Sequence, residues 1–81
     1  MGRKGADGRA APIDTHVGGC IRRRRIAQGL TQQQLGARLG VTFQQIDKYE
    51  RGEASIASWR LALIAKVLHV TVGYFFQGLP S

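Results

Sequence analysis

TQQQLGARLGVTFQQIDKYERG, residues 31–52, carries two helix-start signals with only a glycine and a valine between the helices they open. Thr31 and Gln34 have capping-box spacing: the hydroxyl accepts from the amide three residues on, whose side chain reaches back. Leu30 and Leu35 occupy the hydrophobic staple positions around that cap. Thr42 and Gln45 repeat the device, with Val41 and Ile46 as the second staple. Gly40 ends the first of these helices and Arg51-Gly52 the second. Two helices of about eight to ten residues, joined by so short a link, cannot return antiparallel and must cross steeply, as in a helix-turn-helix.

The chain on either side also reads as helical. A first helix is expected from Asp14 or Thr15 to Gln28, stopped by Gly29. After the loop GEASIA, Ser58 is expected to cap WRLALIAKVLH. A last short helix opens at Thr71, with Val70 and Phe75 stapled across it, and stops at Gly78-Leu79-Pro80. Nothing shows sustained strand alternation, and proline occurs only near the two ends. The expectation is an all-α, compact five-helix domain over residues 13–78, with the helix-turn-helix at helices 2 and 3. Residues 1–12, mostly Gly, Ala, Arg and Lys, form a flexible basic tail, and 79–81 a C-terminal end.

Eighty-one residues allow one small domain. Twelve Lys and Arg against five Asp and Glu give a net charge of +7, of which +5 falls on residues 1–25. Such an excess favours a polyanionic partner, nucleic acid before acidic membrane. Cys20 stands alone, so neither an intrachain disulfide nor a cysteine metal cluster can form, and a reduced, cytoplasmic setting follows. No apolar run approaches the roughly 18 residues of a membrane span. The basic start has no hydrophobic segment behind it, so it is not a secretory signal, and Ala6 stands where myristoylation needs Ser or Thr.

At about 100° per residue, Ile46, Tyr49 and Glu50 share one face of the third helix. Gln44, Lys48 and Arg51 fall opposite, flanked by Gln45 and Asp47. This outer face is long-armed and hydrogen-bonding, without an aliphatic residue. A glutamine amide can pair bidentately with adenine and a lysine can donate to guanine, so the face suits a DNA major groove. A merely solvated helix face would leave the tight turn and the surrounding charge unexplained.

These residues resemble the Cro/cI-type (XRE-like) helix-turn-helix domains of phage repressors and bacterial regulators, lambda-repressor-like in fold. The likeness spans roughly residues 17–77 and rests on IRRRRIAQGLTQQQLGARLGVTFQQIDKYERG followed by LALIAKVLHVTVGYFF. It implies that Gln44, Gln45 and Lys48 read bases. Gln32 would meet a phosphate or outer base, Thr42 would cap the third helix and touch backbone, and Arg51 would lie near phosphates. Arg25 and Glu50 match positions that form a partly buried ion pair in some members. Phe43 departs from the polar residue some members place there; it packs inward, the reading the helical wheel favours, or contacts a thymine methyl. Cys20 replaces a residue usually long and polar and reads as a small semi-buried filler. Gly36 is unusual inside a helix and suggests close helix packing, at a cost of up to about 1 kcal/mol against Ala.

Arg22 to Arg25 circle most of a helix, so they cannot share one role. Arg25 faces Glu50, while Arg22 and Arg23 are left for phosphates or solvent. The tail GRKGADGR is solvated or follows a minor groove. His16 and His69 are placed at helix ends, without a second ligand at metal spacing, and no metal or cofactor is expected. No grouping of nucleophile, base and orienter points to an enzyme. The expected function is sequence-specific binding of double-stranded DNA by a transcriptional regulator, as a homodimer on a pseudo-palindromic operator. Some of Tyr74, Phe75, Phe76 and Trp59 are expected to complete the core and others to stay exposed, and the likeness places the dimer contact on the C-terminal helix. The alternatives are an antitoxin-like or other protein-interaction module that keeps the fold, and a small restriction-modification controller-type autoregulator.

Overall fold

The computed structural model describes residues 12–79 of the chain. The expected basic tail, apart from Pro12, and its minor-groove alternative lie outside these residues, as do Pro80 and Ser81. Four α-helices follow in order: α1 Pro12–Ala27, α2 Gln32–Leu39, α3 Phe43–Glu50 and α4 Ser58–Leu68. A 3-10 helix, Val72–Phe76, completes the described residues, among which no strand occurs.

Three local expectations need correction. The fifth helix is a 3-10 turn, because five residues containing Gly73 offer too few bonds to repay α-helix nucleation. Helix α1 opens at Pro12 rather than Asp14 or Thr15; a proline is suited to the first helical position, where its missing N–H is not needed. Ser58 is the first residue of α4 rather than its cap. Ala57 holds the cap geometry, with no side-chain hydrogen bond.

The two caps of the helix-turn-helix form as the threonines demand. Thr31 and Gln34 make a full capping box. Thr42 accepts from the Gln45 amide at 3.2 Å, while the reciprocal bond from the Gln45 side chain is absent. In every staple the inner member, Leu35, Ile46 or Phe75, is fully buried, and the outer one, Leu30, Val41 or Val70, packs half-buried against it. Gly40 supplies the left-handed residue (φ 74°) that turns the chain between α2 and α3.

Two glycines set how closely the helices approach. At Gly36 an added Cβ would stand 2.6 Å from the Val41 carbonyl oxygen, so α2 can lie against the following turn only without a side chain there. At Gly18 a Cβ would collide with the Tyr49 carbonyl and stand 2.7 Å from that of Glu50, so α1 rides directly on the end of α3. The core between the helices is built from Ile21, Leu35, Ile46, Ile64, Leu68 and Phe75, all essentially free of solvent. Cys20 is buried with them, its sulfur 3.6 Å from His16 Nε2 and 3.5 Å from Arg23 Nη2.

Helix α1 also holds the C-terminal elements by polar tethers. Arg24 Nε donates to the Leu68 carbonyl at 2.8 Å, satisfying one of the acceptors that the end of α4 leaves open. His16 Nε2 meets the Gln77 carbonyl at 2.7 Å and ties down the chain after the 3-10 turn. His16 is thus inside α1, one turn from its start, whereas His69 does sit at a helix end, closing α4 in a left-handed conformation (φ 60°).

Candidate nucleic-acid interface

Burial divides α3 cleanly. Ile46, Tyr49 and Glu50 face the interior, while Gln44 and Lys48 on the helix, with Thr42 and Arg51 at its two ends, are exposed. Gln45 and Asp47 are half-buried between the two faces. The capped start of α2 lies beside this outer face, because α2 and α3 pack directly on one another.

Beneath the face lies a buried polar cluster. Arg25 donates from Nε to Glu50 Oε2 and from Nη2 to Oε1 at 3.0 Å, a two-pronged pairing, and from Nη1 to the Leu30 carbonyl at 2.8 Å. Gln32 Nε2 donates to Glu50 Oε1 at 3.0 Å and to Asp47 Oδ1 at 3.1 Å. Asp47 Oδ2 in turn pairs with Arg51 Nη2 at 3.0 Å, and Arg51 also reaches Glu53 at 3.4 Å. One connected network therefore joins the end of α1, the start of α2 and the C-terminal half of α3. No buried side-chain polar atom among the described residues lacks a partner.

Gln44, Lys48, Thr42 and Arg51 thus share one exposed surface, with Gln45 at its edge. Gln32 is held through its amide nitrogen by two carboxylates. Arg22 and Arg23 are exposed on α1; Arg22 lines an open cleft shared with Gln32 and Gln33. The inward packing expected of Phe43 does not occur. Its side chain is 43% exposed and lines the same cleft as Ile26. Phe43 is the first residue of α3, and side chains lean toward a helix N-terminus. It therefore projects past the core layer that receives Ile46.

Several contributors escaped the sequence reading. Asp47 anchors both Gln32 and Arg51, but a lone aspartate on a polar face has no local signature of that role. Arg60 donates to the Tyr49 hydroxyl at 3.3 Å and stacks over Trp59, 4.7 Å from its ring centroid. Among the described residues there is no group of three or more His, Cys, Asp or Glu able to hold a metal, and no helix is long and apolar enough to cross a membrane.

The family model for the helix-turn-helix matches residues 21–75. An uncharacterised HTH-type transcriptional regulator of Sinorhizobium medicae is 49% identical over 70 residues, which are 86% of this chain and 50% of that one. In fold, the clp gene regulator ClgR of Corynebacterium glutamicum superposes with a TM-score of 0.78 at 23% identity, over 82% of this chain and 70% of that one. The restriction-modification controller protein C.AhdI of Aeromonas hydrophila gives 0.72 at 24%, over 76% and 94%. The chain belongs to the XRE-like helix-turn-helix family. It spans about half the length of the curated relatives it matches.

Proposed function

We propose that the chain binds double-stranded DNA with sequence selectivity, as the DNA-binding part or the whole of a transcriptional regulator, with α3 in the major groove. One observation carries this reading: α3 keeps Gln44 and Lys48 on a solvent face whose inner side is locked by Ile46 and Glu50. Gln44, Gln45 and Lys48 read base edges, while Arg51, Thr42, Arg22 and Arg23 meet phosphates. Because the Gln32 amide nitrogen is committed within the protein, a phosphate at the start of α2 is met by the unpaired backbone N–H groups of that first turn.

The protein acts by binding rather than catalysis, in the cytoplasm, as a homodimer whose two α3 helices address half-sites about 34–36 Å apart. The exposed Val72 and Phe76 on the C-terminal turn support a subunit contact there. The test is selection from a random duplex pool at about 150 mM salt, where non-specific attraction is damped. A palindromic consensus is expected. If there is no enrichment, and all binding disappears as salt rises, the reading is wrong.

A second reading has its own observation. Trp59 and Leu63 stand one turn apart on α4, 61% and 43% exposed, and so leave an apolar strip. That strip favours a protein-interaction module that has kept the fold. Alanine substitution of Trp59 and Leu63 leaves DNA selection unchanged under the first reading and abolishes partner capture under the second.

A further inference from the structure

Among the described residues, Phe43 is the sole large apolar side chain of α3 left exposed. It serves neither the core, which receives Ile46, nor the staple, which pairs Val41 with Ile46. It stands directly before Gln44 on the surface assigned to the groove. Ile26, itself 52% exposed, lines the same cleft. Leu30 adds a third apolar side chain to that cleft, beside the polar Arg22, Gln32, Gln33 and Asp47. Phe43 is therefore an apolar step next to the hydrogen-bonding Gln44 and Lys48.

The edges of the bases offer one apolar group to the major groove, the C5 methyl of a pyrimidine. Thymine carries it, 5-methylcytosine gains it, and cytosine and uracil lack it. The ring of Phe43 can neither donate nor accept a hydrogen bond, so it cannot choose among the polar edges that Gln44 and Lys48 distinguish. It can gain only by excluding water from an apolar partner.

We propose that Phe43 is a specificity-determining residue that reads the C5 methyl of one pyrimidine in each half-site, making binding sensitive to cytosine C5 methylation at that step. This inference rests on the DNA-binding reading above and adds to it a specific atom. The selected half-site then contains a thymine at a fixed place beside the bases read by Gln44. At that place cytosine is a poor substitute, and 5-methylcytosine is a better one.

The experiment uses the selected duplex with each thymine in turn replaced by uracil, a change that removes the methyl and leaves every hydrogen-bonding group in place. One position per half-site should weaken binding by roughly fourfold per methyl, the factor expected from losing one buried methyl-sized group. Replacing that thymine with cytosine and then with 5-methylcytosine should lose affinity and partly restore it. Phe43→Ala should bind the uracil and thymine duplexes alike, whereas Phe43→Leu, which keeps an apolar side chain, should retain part of the discrimination. Circular dichroism melts establish that both variants are folded; the exposed side chain makes no core contribution to lose. Selective binding with a flat response to uracil at every position overturns this inference alone, as does a half-site without thymine. Failure to select any sequence overturns the DNA-binding reading and this inference with it.

Discussion

Arg25 and Glu50, on different helices, meet through two parallel N–H···O bonds in a pocket that leaves each less than a tenth exposed. The third guanidinium nitrogen closes on the Leu30 carbonyl, so the pair also fixes the chain entering α2. The orientation of α3 against α1 and α2 therefore depends on one buried ionic contact and on the groups that complete its hydrogen bonding.

Removal of one partner leaves the other buried and uncompensated. Glu50→Ala or Arg25→Ala should each destabilise the fold by about 3–5 kcal/mol, while replacing both with apolar residues of similar volume should recover much of the loss. Urea titration followed by circular dichroism measures all three. Little loss in either single variant would show that the pair is a passive filler.

Gly18 and Gly19 are neighbours on α1 with opposite expectations. Gly18→Ala puts a methyl group onto the backbone of α3 and should cost about 1–3 kcal/mol, as overpacking does. Gly19→Ala meets only the movable end of Arg23 at 3.4 Å and should stabilise by up to about 1 kcal/mol through helix propensity. Thermal melts of the two variants should shift in opposite directions.

Lys48 and Arg51 separate base reading from phosphate contact. Lys48→Ala should flatten the preference between operator and random duplex. Arg51→Ala should weaken both alike and reduce the salt slope by about 1. Titrations at several salt concentrations check this, and equal losses from Lys48→Ala on both duplexes would remove it from the reading surface.

Thr31→Ala removes the hydroxyl half of a complete capping box at the start of α2 and should cost about 1 kcal/mol. Thr31→Ser, which keeps the acceptor, should lose much less. Chemical denaturation distinguishes the two.

What the sequence revealed and what it hid differ in range. The capping threonines, staple pairs and stopping glycines act within five residues, and the helix-turn-helix built on them was legible before any coordinate. The tethers from Arg24 to Leu68 and from His16 to Gln77 span 44 and 61 residues, beyond any local pattern. Gly18 carried no local signal, since its reason is the backbone of a helix about thirty residues away. Phe43 misled for a different reason. A helical wheel assigns direction around the axis but not depth along it, and at the first position of α3 the core has already ended. Ser58 had the right chemistry for a cap, but the helix claimed its backbone one residue early.

Trp59 is the chain's single tryptophan, and it stands mostly in solvent with Arg60 over its ring. Its fluorescence therefore already reports an indole in water while the protein is folded, so unfolding should shift the emission maximum little and will need another probe. Anything that covers Trp59 should shift the emission to shorter wavelength, whereas a duplex seated on α3 should leave it nearly unchanged. One intrinsic chromophore thus separates events on the two faces of the molecule without any label.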